Sequence, residues 1–72
     1  MHYHELVIAL KNRRQSLRVT QEMLAEFSGV ALRTLKQFES GKGNPTLATL
    51  QKLADTLGME VSLRVKNLNT DQ

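Results

Sequence analysis

The sequence holds no cysteine in 72 residues, so neither disulfides nor a thiolate metal site can brace it. A chain of this length buries only a little over ~60% of the surface that its unfolded form exposes. Closely packed helices or a partner chain must supply the remaining stability, and oligomerisation is expected. No apolar run approaches the ~18 residues of a membrane span. The start, Met1-His2-Tyr3-His4-Glu5, also lacks the basic and apolar regions of a secretory leader, so the expectation is a cytoplasmic protein without a membrane partner. Catalytic inventory is missing as well. No nucleophile stands at a recognisable spacing from a base, no glycine-rich strand-to-helix loop offers a phosphate cradle, and the only histidines are His2 and His4. The chain reads as a non-enzyme. The two histidines read as solvated terminal residues and not as metal ligands, and no cofactor is implied.

What is present has the balance of a folded domain, with 40% hydrophobic and 24% charged residues. Ten Lys and Arg against seven Asp and Glu leave a net charge of +3, which favours an anionic partner. Leu6, Val7, Leu10 and Leu17, with Tyr3 one turn earlier, follow the helical period and predict a first helix from residue 3 to about 17. Arg14 interrupts that apolar stripe, so the period turns a cation inward. Thr20 is a good N-cap for a second, short helix through Leu24, Ala25 and Phe27, which Gly29 ends. A third helix runs from about Leu32 to Glu39, with Leu35, Phe38 and Glu39 on one side and Arg33, Lys36, Gln37 and Ser40 on the other. Arg14 and Glu39 are thus the two charged residues that periodicity forces inward, and the economical reading pairs them.

Gly41, Gly43 and Pro45 mark a loop, after which Thr46 caps a fourth helix carrying Leu47, Leu50, Leu53, Ala54 and Leu57, closed by Gly58. The period then changes to two. Val61, Leu63 and Val65 alternate with Glu60, Ser62, Arg64 and Lys66, which predicts a strand over 59–66 with no second strand in the chain to pair with. The same strand of a second copy is the candidate partner, and residues 67–72 read as a polar tail.

Two short helices joined through Gly29, the second with a basic and amide-rich outer face, make a helix-turn-helix. The segments Thr20-Gln21-Glu22-Met23-Leu24-Ala25, Gly29-Val30 and Phe38-Glu39-Ser40-Gly41-Lys42 resemble the XRE family of helix-turn-helix proteins, relatives of phage Cro and repressor, over about residues 5 to 58. The last part, from Leu53 to Leu63, more narrowly resembles the HipB-type antitoxins, in which a terminal strand pairs across a dimer. Phage repressors usually have a fifth helix where this chain has a strand pattern. The implied fold is mainly α: a lambda-repressor-like bundle of four helices plus one C-terminal β-strand paired across a homodimer. Residues 1–58 form the helix-turn-helix domain, 59–66 the dimerisation strand through Val61, Leu63 and Val65, and 67–72 the tail.

Charge is distributed in keeping with that reading. Residues 1–30 carry four basic and three acidic side chains, residues 31–45 three and one, and residues 46–72 three and three, so the excess gathers on the third helix and its following loop. Arg33 can fork to a guanine edge and Gln37, one turn on, can pair with adenine. Leu32 and Thr34 can contact a thymine methyl or the backbone, and Lys36 a base or a phosphate. Gln21, Ser40 and Lys42 match the phosphate-contacting positions of the family, although Gln21 can also serve to bracket the third helix. Ala31 departs from the family's frequent Ser or Thr cap. The function implied is a sequence-specific DNA-binding transcriptional repressor on a palindromic operator, a HipB-like antitoxin that autoregulates its toxin-antitoxin operon and holds a HipA-like kinase. The alternatives are a stand-alone regulator of the phage-repressor or restriction-controller type, and a protein-docking module without specific DNA binding.

Overall fold

Residues 3–66, described by a computed structural model, form four helices: α1 (Tyr3–Ser16), α2 (Gln21–Ser28), α3 (Leu32–Glu39) and α4 (Leu47–Thr56). Two of them begin on threonine caps. Thr20 Oγ1 accepts from the Met23 N–H at 3.0 Å and Thr46 Oγ1 from the Thr49 N–H at 3.1 Å, each satisfying one N–H that the helix leaves without a partner and contributing about 1 kcal/mol. α3 starts from Ala31 without a side-chain cap. Its position therefore depends on packing. α2 packs against both α3 and α4, and α1 against α3. Leu24, Leu35, Leu53 and Leu57 are the most deeply buried side chains, with Val7, Leu10, Val30, Phe38 and Leu50 around them. Each helix gives one face to this single cluster and leaves the other to solvent.

Three expectations are corrected. α1 ends at Ser16, one residue early, and Leu17 is 44% exposed and not part of the apolar stripe. The chain reverses through Arg18, which adopts a left-handed φ of 58°, and Val19 packs against the core in place of Leu17. No glycine marks this turn, so the pattern of apolar residues alone ran past it. Leu47 opens the stripe of α4 but is 60% exposed, because it lies in the first turn beyond the reach of the core. Finally, the strand expected over 59–66 is absent among the described residues. The Met59 N–H donates to Ala54 C=O at 2.8 Å as the chain leaves α4, and residues 60–66 run on as irregular chain. A strand exists only through a ladder with another strand, and the four helices offer none. The polar tail assigned to 67–72 and the residue His2 lie outside the described residues. Among the described residues no group of His, Asp or Glu could hold a metal ion, and no helix is long and apolar enough to cross a membrane.

The junction between α4 and the terminal segment is held from α1. Arg13 Nε donates to Leu57 C=O at 2.8 Å, placing a cation on the negative end of α4 and satisfying a carbonyl that the helix leaves open. Arg13→Ala is expected to destabilise the fold by about 1 kcal/mol, read as a lower urea midpoint with unchanged slope. No loss of midpoint would remove the cap from the account.

Candidate nucleic-acid interface

The turn between α2 and α3 is built from three adjacent residues. Gly29 takes φ 78°, a conformation that costs side-chain-bearing residues energy, and its N–H donates to Ala25 C=O at 3.0 Å. Ser28 Oγ accepts from the Val30 N–H at 3.2 Å, and Val30 drops into the core. The arrangement fixes the start of α3 against α2 although Ala31 cannot cap it. Sequence reading passed over Ser28, which carries a small hydroxyl beside a turn glycine.

A buried polar network secures the far end of α3. Arg14 Nε donates to Glu39 Oε2 at 2.7 Å and Arg14 Nη2 to Glu39 Oε1 at 2.8 Å, a bidentate pair whose geometry suits a planar guanidinium and a carboxylate. Arg14 Nη1 donates to Val19 C=O at 2.8 Å, and Gln21 Nε2 donates to Glu39 Oε1 at 2.9 Å. Four hydrogen bonds thus link α1, the α1–α2 turn, the first residue of α2 and the last of α3. Among the described residues every buried side-chain nitrogen and oxygen has a partner. Gln21, assigned to phosphate contact from the sequence, has one amide hydrogen committed to Glu39 and is half-buried.

Turning Glu39 inward has an electrostatic consequence for the opposite face. It is the only carboxylate of α3, and Arg14 neutralises it, so the outer face shows Arg33, Lys36 and Gln37 to solvent with no acid between them. Leu32 and Thr34 are half-buried at its edge. Arg33 and Gln37 are one turn apart, about 6 Å along the axis, and a helix ~10–12 Å across fits the ~12 Å width of a B-DNA major groove. In the loop after α3, Ser40 and Lys42 are exposed. Ser40 Oγ donates to Gln37 C=O at 2.9 Å and the Lys42 N–H donates to the same carbonyl at 2.9 Å, so the loop hangs from the residue in the middle of the exposed face. The residues assigned to dimerisation follow α4 and belong to neither α3 nor its loop. Leu63 and Val65 are each 90% exposed and Val61 38%, beside an apolar cleft of ≈ 340 Å³ that Leu6, Leu10, Leu47, Leu50, Val61 and Leu63 line together with neighbouring residues.

Comparison with known proteins gives one family and several relatives. A family model described as helix-turn-helix matches residues 10–63. The chain is 35% identical over 63 residues to a cryptic phage CTXphi transcriptional repressor, RstR, of Vibrio cholerae, an alignment covering 88% of this chain and 56% of that protein. It is 42% identical over 65 residues to an HTH-type transcriptional regulator of Haemophilus influenzae, covering 86% and 66%. It is also 35% identical over 57 residues to YonR, an SPbeta prophage-derived HTH-type transcriptional regulator of Bacillus subtilis, covering 79% and 53%. The chain spans between about half and two thirds of the length of these relatives.

Proposed function

Because this chain belongs to the helix-turn-helix family, whose pattern covers residues 10–63, we propose that it is a dimeric, sequence-specific DNA-binding repressor of transcription. The observation that carries the reading is the acid-free outer face of α3, followed by Lys42 and held rigid by the Arg14–Glu39–Gln21 network. α3 enters the major groove. Arg33 forks to a guanine edge, Gln37 takes adenine, Lys36 reaches a base or a phosphate, and Leu32 and Thr34 meet a thymine methyl or the backbone. Gln21 offers a phosphate its second amide hydrogen at the positive end of α2. Lys42 contacts a phosphate directly, and Ser40 joins it when its hydroxyl turns from Gln37.

Two of the relatives are named as phage or prophage regulators, which supports a stand-alone repressor ahead of an antitoxin. The antitoxin reading keeps one support, the alternating terminal segment that resembles the HipB branch. A kinase toxin encoded next to this chain and co-purifying with it would favour that reading.

The dimer is proposed to form through residues 60–66. Antiparallel pairing about a two-fold axis at Leu63 sets Val61 opposite Val65 of the partner subunit and Glu60 opposite Lys66 of the partner subunit. Apolar side chains then meet on one face and opposite charges at the ends of the other. The half-sites of the operator would lie about one helical turn, ~34 Å, apart.

Binding of fluorescent duplexes selected from a random pool tests the reading. Arg33→Ala is expected to relax preference at one base position by roughly 1–3 kcal/mol. Lys42→Ala should weaken specific and random DNA alike and lower the log–log salt slope by about 0.9 for each phosphate lost. Equal loss on both DNAs for Arg33→Ala would sink its assignment.

A further inference from the structure

A two-stranded ribbon is at best marginally stable in water unless one face packs on a helix or a further strand. The pairing proposed for residues 60–66 therefore needs a support, and the fold holds an apolar site beside it. Residues 59–63 line one part of the ≈ 340 Å³ cleft, and Ala9 of α1 and Leu47 of α4 line another. Ala9 is exposed and Leu47 is 60% exposed, so the cleft carries apolar surface that the core of a single chain does not use. Leu63 and Val65, each 90% exposed, are the most exposed large apolar side chains among the described residues.

From this placement we infer that the cleft is an interface with a second copy of the chain, which closes it with the apolar face of the paired segments. The inference rests on the proposed pairing about Leu63. Residues directly opposite each other in an antiparallel pair point to the same side of the sheet, with Cβ atoms about 4.5–5.5 Å apart. Val61 and Leu63 line the cleft, so Val65 of the partner subunit, opposite Val61, comes to that side as well and covers the mouth of the cleft. The two-fold axis returns the same contact to the other copy. On the opposite face the pairing brings Glu60 against Lys66 of the partner subunit, and this charge complementarity favours a second copy over an unrelated apolar segment.

Leu47→Glu and Ala9→Glu place a carboxylate in the cleft from positions that are exposed in a single chain. Leu47 opens α4, where an acidic side chain suits the positive end of the helix, so the fold should survive. Light scattering over a dilution series is expected to show the dimer dissociation constant raised at least about tenfold by each substitution. Binding to an isolated half-site should stay within twofold. Ile8→Glu is the control and should leave the dimer unchanged, because Ile8 is 43% exposed on the same helix as Ala9 but does not line the cleft. The dye 8-anilinonaphthalene-1-sulfonate should brighten with the monomeric Leu63→Pro chain, whose cleft is open, and not with the unsubstituted dimer. The inference is overturned if Leu47→Glu and Ala9→Glu dimerise as tightly as the original chain, or if Ile8→Glu weakens the dimer as much as they do. It is equally overturned if the dimer binds the dye as the monomer does, which would leave the cleft to a small apolar molecule. Should circular dichroism show one of the two cleft variants unfolded, the other decides. Cross-linking of Val61→Cys with Val65→Cys beside an unweakened Leu47→Glu dimer would retain the pairing and discard only its seat on the cleft. An unchanged dimer in Leu63→Pro would instead remove the pairing itself, and the inference with it.

Discussion

Glu39→Ala is expected to lower the stability of the fold by about 3–5 kcal/mol, read from the urea midpoint of a two-state transition. The size follows from what is left behind. Arg14 stays with its side chain 10% exposed, having lost both donors' acceptor, and a buried unpaired charge is penalised far more than the intact pair contributes. A chain of 72 residues has a total stability of roughly 4–11 kcal/mol at the usual value per residue. The loss would therefore take from about a quarter of that stability to all of it. The double replacement Arg14→Met with Glu39→Leu is expected to recover most of the loss, since apolar groups of similar volume carry no uncompensated charge. The Val19 carbonyl would still lack the donor that Arg14 provides, and Gln21 Nε2 the acceptor that Glu39 provides, leaving a deficit of about 1–2 kcal/mol. A single-variant loss below ~1 kcal/mol would mean that water reaches the pair.

The same pair illustrates how much of the fold is legible in the sequence. Positions 14 and 39 fall on the inward side of two separately read helical periods, and their side chains meet at 2.7 Å. Helix starts at Thr20 and Thr46 and the stop at Gly29 are legible because capping and left-handed turns need particular residue types. Features built from ordinary residues in unusual conformations are not. Arg18 turns the chain with φ 58° and leaves no compositional mark, so the first helix is read too long and Leu17 is assigned inward. At the candidate interface, the residue types of α3 suggest what can contact a base. That Gln21 shares Glu39 with Arg14 depends on side-chain directions that spacing does not contain. The terminal segment shows a different limit: an alternating pattern states which side chains share a face, but a ladder needs a second strand.

Disrupting that segment is expected to have the largest effect on function. Leu63→Pro removes a backbone donor and fixes φ at the proposed centre of pairing, so light scattering should report monomers. A dimer on two half-sites gains from effective concentration by 10²–10⁴-fold over a single site, in order-of-magnitude terms, so affinity for a palindromic operator should fall by at least about a hundredfold. Binding to an isolated half-site should be little altered, because α3 is untouched. An unchanged dimer would remove residues 60–66 from the interface. The absence of cysteine from the chain makes the register itself measurable. With the two-fold axis at Leu63, Leu63→Cys faces its own copy at a Cα separation of about 4.5–5.5 Å, within disulfide reach, and should be captured as a covalent dimer on mild oxidation. Val61→Cys should not cross-link alone but should do so when mixed with Val65→Cys, since those two positions are opposite each other only between subunits. Cross-linking of Ser62→Cys with itself in place of Leu63→Cys would move the axis by one residue. Glu60 would then face Arg64 of the partner subunit, and Val61 would face Leu63 of the partner subunit.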